Sequence, residues 1–292
     1  MIEHDGKFWI GLGNEPAGTD GGLIVFVVAN GTLQAEYAVD EQGVHDMHLH
    51  DGKIYVPGTD PTDDWTLGNL YIRDTAGVWA KRRTLPLTIH TWGLCHDGDG
   101  NLWAAVGAHA GDNATWQGRV LRSADDGLTW DVNVQVNDYR AYDIEQHAGA
   151  FWAIGYTASY EQLLYTSADG QAWETVNGVS PERLQRFVKH GNLLIGQLSS
   201  QKGLVVIGAA GNVDTVNLTF SFRYPSLNCI ASDGEYLYCV DVSGYIWRSN
   251  DLEAWERYSQ VPGAISVGYW PSQNCLIVSD KGIQAKLWKI DL

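Results

Sequence analysis

The sequence predicts an all-β chain folded as a single seven-bladed β-propeller over residues 1–292, built of four-stranded antiparallel blades with three strands in the last. Three observations predict it. A turn containing glycine returns at Gly6, Gly52, Gly100, Gly149, Gly191 and Gly234, with Asn274 in the seventh place; steps of about 40–50 residues are the spacing of propeller blades. A short aromatic and β-branched run follows each turn, as strands require. Sustained apolar spacing at 3.6 residues is missing apart from a weak trace at 181–188, so almost no helix is expected.

The strand after each turn reads, in chain order, 7–10, 53–56, 101–104, 150–153, 192–195, 235–238 and 275–278. A third strand per unit follows at 23–28, 69–72, 119–122, 162–166, 204–207, 245–248 and 286–290. The last unit stops at Asp291-Leu292 without an outermost strand. Ring closure is therefore expected to rest on face packing between the first and last blades, or on a strand supplied by a partner.

A second turn precedes a tryptophan. Ser123-Ala124-Asp125-Asp126-Gly127-Leu128-Thr129-Trp130 has the pattern Ser-x-Asp-x-Gly-x-Thr-Trp; shorter copies run from Ser167 and Asp169 to Trp173 and from Ser249 and Asp251 to Trp255, and a degraded one ends at Trp79. These residues resemble the Asp-box, or BNR, repeat of sialidase-like propellers. Ser and Asp can bond turn backbone, Gly permits positive φ, and Trp can be clamped between sheets. The boxes therefore read as structural. The resemblance implies that ligands bind on the opposite face, and it carries no catalytic set. A sialidase needs three arginines on a carboxylate with a Tyr nucleophile, whereas here the nearest Phe-Arg-Ile-Pro-like segment, 222–225, lies late. The candidate inward arginines Arg140, Arg183, Arg186 and Arg223 fall in blades four to six.

A formal net charge of −16 opposes nucleic acid, whose phosphates need a basic footprint, and anionic membranes likewise. No signal-peptide pattern starts the chain and no long apolar run occurs, so synthesis in the cytoplasm is expected. Cys95, Cys229, Cys239 and Cys275 lack zinc-type spacing, and reduced buried thiols are expected.

The connections at 13–22, 57–68 and 107–118 are long, while those of later blades are short; function concentrates on such loops. They carry Asp60, Asp63, Asp64, Trp65, His109, Asp112 and Trp116. Exposed tryptophan beside carboxylates suits sugar rings, and packing of the same rings against their own loops is the competing reading. The stretch 60–64 offers calcium hard oxygens without the spacing of a calcium loop, and no cofactor is expected.

Repetition separates scaffold from site. His4, His50, His96 and His147 share the place before the first turn, which speaks for a turn role. Counting five places before the turn gives Asp46, Trp92, Asp143, Gln185 and Asn228, with His45, His90, Arg140, Tyr142, Arg183 and Arg186 nearby. Such a set of unlike groups forms either a small-ligand site or a solvated channel. Asp46, His48 and His50 alternate on one strand and are metal-ligand types, but packing accounts for them and no metal is expected. Asp46 and Asp143 could act as paired glycosidase carboxylates. The favoured reading is a non-catalytic module that binds a glycan or partner protein through the long-loop face, with a place in a larger assembly such as a phage virion. Glycoside hydrolysis is the alternative.

Overall fold

Every member of the first turn column adopts positive φ, from Gly6 at 67° through Gly234 at 95° to Asn274 at 43°. Asp5, Asp51 and Ala148 precede their glycines at φ of 53°, 47° and 52°, so these hairpins close through two consecutive left-handed residues, as a two-residue turn matched to strand twist requires. This backbone demand is the physical content of the repeat. The computed structural model describes residues 1–11, 23–29, 32–61, 63–111, 115–157, 162–176, 184–198, 202–222, 228–280 and 286–292.

Seven antiparallel sheets follow, the blades of a β-propeller. Among the described residues there is no α-helix, only a 3-10 turn at Pro271–Gln273; the part of the weak helical trace from 184 to 188 lies in strand Leu184–His190, and 181–183 fall outside the described residues. The last blade has three strands, Ala264–Trp270, Cys275–Asp280 and Leu287–Asp291. The chain divides into two compact units: Met1–Ser159 with Leu163–Thr175, and Tyr160–Gln162 with Val176–Leu292.

In the first unit the cores lie between successive blades, because side chains alternate along each strand. Ile54 joins Trp9 and Val25 of blade one, whereas its neighbour Tyr55 joins Leu94, Leu102 and Leu121 of blade three. Trp103 packs with Phe151, Ile144 and Tyr139 of blade four. Each fully buried side chain of this size contributes about 1.5–3 kcal/mol, so blades two and three each depend on both neighbours. The second unit has its own core, which includes Ile195, Phe222, Tyr238, Ile246 and Val278. All four cysteines are buried thiols outside any disulfide.

The second turns are closed by their own polar side chains. The Ser123 hydroxyl accepts from Gly127 N at 2.7 Å, and the Asp125 carboxylate accepts from Thr129 N at 2.8 Å and from the Thr129 hydroxyl at 2.6 Å. These bonds hold the Asp125 carboxyl down at about 2. Ser167 and Asp169 accept from Gly170 N and Gln171 N, and Ser249 and Asp251 from Leu252 N and Glu253 N. Trp173 and Trp255 donate back to the carbonyls of Gly170 and Leu252, whereas Trp130 donates to the Thr84 hydroxyl.

Blade three departs from the four-strand plan. Its innermost strand, Thr88–His96, pairs through His90 with the short strand Thr59–Pro61, and that strand pairs with Glu41–Gly43, so the sheet has six strands. The long connection of blade two and the link between blades one and two thus extend the inner edge of blade three beside His90.

Candidate functional site

Five of the residues singled out in the sequence meet at the long-loop end of blades three and four. Tyr142 stacks on Trp92 with centroids 4.2 Å apart and planes 4° apart, and Trp92 stacks on His90 at 4.5 Å and 8°. His90 continues to Trp116 at 5.6 Å, and the Arg140 guanidinium lies 4.0 Å over the Trp116 ring. The chain of contacts starts and finishes on one strand, Tyr139–His147.

Backbone irregularity aims the central pair. Pairing between Thr88–His96 and Leu102–His109 skips Trp92, and pairing between Tyr139–His147 and Ala150–Thr157 skips Tyr142. Each is the extra residue of a β-bulge, a device that re-aims a side chain next to a functional site. Trp92 and Tyr142 are therefore equivalent, and so are Gly93 and Asp143, which pair with Ala105 and Ile154. The level of Trp92 with Asp143 read from the sequence is corrected by one place, because the turn of blade three holds the longer segment between paired His96 and Leu102.

Asp46 and Asp143 sit on either side of that inner strand, each 5% exposed. The Asp46 Oδ2 accepts from Leu94 N at 3.1 Å. Asp143 Oδ1 accepts from Ile144 N at 2.9 Å and lies where a Cβ on residue 93 would stand, at 2.2 Å, so glycine at 93 makes room for the carboxylate. Both acids thus address backbone.

His109 pairs in the ladder with Trp116, and its Nε2 lies 2.9 Å from the carbonyl of Trp65, a residue 37% exposed. Trp65 and the half-buried Trp116 give this end its accessible aromatic surface. Asp63 binds Lys81 at 2.7 Å, and Asp64 pairs with Arg83. His45 lies half-buried against Gly43. Arg186 belongs to the second unit, where the pairing of Leu184–His190 skips it. Asp112, Arg183, Arg223 and the side chains of Asp60 and Gln185 lie outside the described residues.

Beneath the added strands is a carboxyl the sequence reading missed. Glu41 is fully buried; its Oε1 accepts from Asn69 Nδ2 at 2.6 Å and the Tyr71 hydroxyl at 3.0 Å. Burial pushes its pKa up to about 7, against the opposing pull of Asn69, Tyr71 and Lys81. Asn69, polar within the apolar run 67–72, was the signal that could have found it. At the turn end, a groove of about 790 Å³ is lined by Asp97, Asp99, Arg122, Asp131, Asp169 and others, of which Asp97 and Asp169 already hold their own turns.

No family model and no curated protein matches the chain by sequence. Solved structures do resemble it. A streptogramin B lyase is 13% identical with a TM-score of 0.67, over 99% of this chain and 95% of that one. The likeness is one of fold. A putative 6-phosphogluconolactonase from Bacteroides fragilis follows at 12% identity and 0.63, covering 98% and 96% of the two chains. YCF48 from Cyanidioschyzon merolae matches at 12% and 0.58, covering 92% and 90%. Propellers of this architecture thus include proteins named as enzymes, and both catalytic and binding roles are open to the fold.

Proposed function

We propose that the protein is a non-catalytic binding propeller, similar to Asp-box propellers in its turns, that takes a saccharide at the long-loop end of blades three and four. The observation that carries this reading is the cluster of His90, Trp92, Trp116, Arg140 and Tyr142, with two of its rings delivered by β-bulges. The exposed Trp65 and the half-buried Trp116 offer apolar surface, and Arg140, over the Trp116 ring, is a hydrogen-bonding group beside it; a sugar presents the matching apolar face and hydroxyl edge.

Hydrolysis through Asp46 and Asp143 is less well supported, because both carboxylates are directed to the backbone of the inner strand or of their own. A glycan array followed by calorimetry on the best ligand tests the reading. Trp116→Ala is expected to weaken binding by roughly tenfold or more, the effect of losing an aromatic anchor, with no turnover by the unaltered protein. Hydrolysis of a bound glycan that Asp143→Asn abolishes would replace this reading with the enzyme one. Absence of any glycan binding, with specific capture of a protein that Trp116→Ala loses, would move the same surface to a partner-protein role.

A further inference from the structure

We propose that His48, His50 and His96 form a transition-metal site at the turn end of blades two and three, distinct from the aromatic cluster. One ligand atom from each lies within 4.8 Å of the others. His48 and His50 stand two apart on strand His48–His50 and so share a face, while His96 ends strand Thr88–His96 of the next blade. The His50 and His96 rings are 3.8 Å apart, and His48 and His96 are 5.0 Å apart.

The repeat distinguishes this cluster from ordinary turn histidines. His4, His50, His96 and His147 fill the same turn position, but the place two residues earlier holds Ile2, Leu94 and Glu145 in the other three blades. Only blade two adds a second imidazole there, His48, among these four. Asp46, which the sequence placed with His48 and His50, instead accepts from Leu94 N, and His96 from the neighbouring blade takes the third position.

The surroundings suit a cation. His96 Nδ1 is buried without a hydrogen-bond partner, a cost to folding that a metal would offset. His50 Nε2 lies 3.4 Å from the Asp51 carboxylate, which leaves Nδ1 for a ligand, the arrangement in which an outer carboxylate orients a metal-bound imidazole. The Asp126 carboxylate stands close by on the Tyr55 hydroxyl at 2.6 Å and Lys53 at 3.1 Å. Three imidazoles with one position open to water suit Zn²⁺, and Co²⁺ or Ni²⁺ as substitutes. Ligand nitrogens on one Zn²⁺ stand about 3.4 Å apart, so modest ring rotations that unstack His50 from His96 complete the site.

Titration of the metal-free protein with zinc chloride, paralleled by cobalt absorption, tests the site. One ion per chain is expected, with binding lost in His96→Ala and in His50→Gln and kept in His147→Ala, which alters the same turn position where no second histidine stands. His50→Gln, at a partly exposed turn, keeps the test decisive if His96→Ala does not fold. No stoichiometric binding, or binding that survives both His96→Ala and His50→Gln, would overturn the proposal.

Discussion

Gly170→Ala is expected to destabilise the unit of blades one to four by about 3 kcal/mol or more, while Gly149→Ala costs only about 1 kcal/mol. The two glycines have nearly the same backbone, with φ of 72° and 73°, so the penalty for placing a side chain in the left-handed region is shared. They differ in what the new methyl meets. At 149 nothing lies within 4 Å; at 170 the Cβ would stand 2.1, 2.8 and 2.9 Å from three atoms of the Trp103 ring. That ring cannot retreat. It is 2% exposed, its Nε1 donates to Asp97 Oδ2 at 2.9 Å, and Phe151 covers it with centroids 4.4 Å apart. Nor can residue 170 move freely, because its N–H donates to Ser167 and its carbonyl accepts from Trp173 and Asn133. Overpacking of a fixed core adds about 1–3 kcal/mol. Denaturant midpoints of the two variants check the difference, and equal midpoints would show that the interface yields.

This contrast shows what a sequence can reveal. The seven turns and their strands are legible because each needs a residue that tolerates positive φ, and only glycine or asparagine fills the column. The Ser and Asp of the second turns are legible for a similar reason, since their side chains satisfy backbone groups a few residues away. Residues outside those columns, such as His90 and Arg140, could be singled out by failing to repeat, and Trp116 by its place on a long connection. How their rings stack could not be read. It depends on bulges that advance Trp92 and Tyr142 by one place, and the inner strand of blade three, buried along almost its whole length, has no alternation in which an extra residue could show. The short strands Thr59–Pro61 and Glu41–Gly43 were equally hidden, because three-residue pairings carry no periodicity. His96 stood in the turn column and gave no sign that the histidines of the next blade lay against it.

Glu41→Gln is expected to make the protein more stable at pH 8, by up to about 3 kcal/mol, with the advantage vanishing towards pH 4. The Glu41 carboxyl is fully buried, and its pKa rises from the ordinary 4.5 to about 7 on folding. The folded protein therefore binds this proton more tightly than the unfolded chain. Stability linked to it is complete below about pH 4.5, falls as pH rises towards 7, and is constant above. Desolvation is the dominant cause, and Asp40 adds to it, while Asn69, Tyr71 and Lys81 oppose it. The geometry agrees, since Oε1 takes both hydrogen bonds and Oε2 is buried without a partner, a poor setting for a full charge. Glutamine keeps an acceptor for Asn69 and Tyr71 and never ionises. The raw pH profile will not show this directly: His96 and His190 have lowered values on folding, so their contributions to stability rise with pH below about 6.5 and oppose that of Glu41. The difference between the two proteins isolates it. Unfolding free energies of wild type and Glu41→Gln at several pH values from 4 to 8 should diverge with rising pH, and parallel curves would show that Glu41 ionises in the fold as readily as in the open chain.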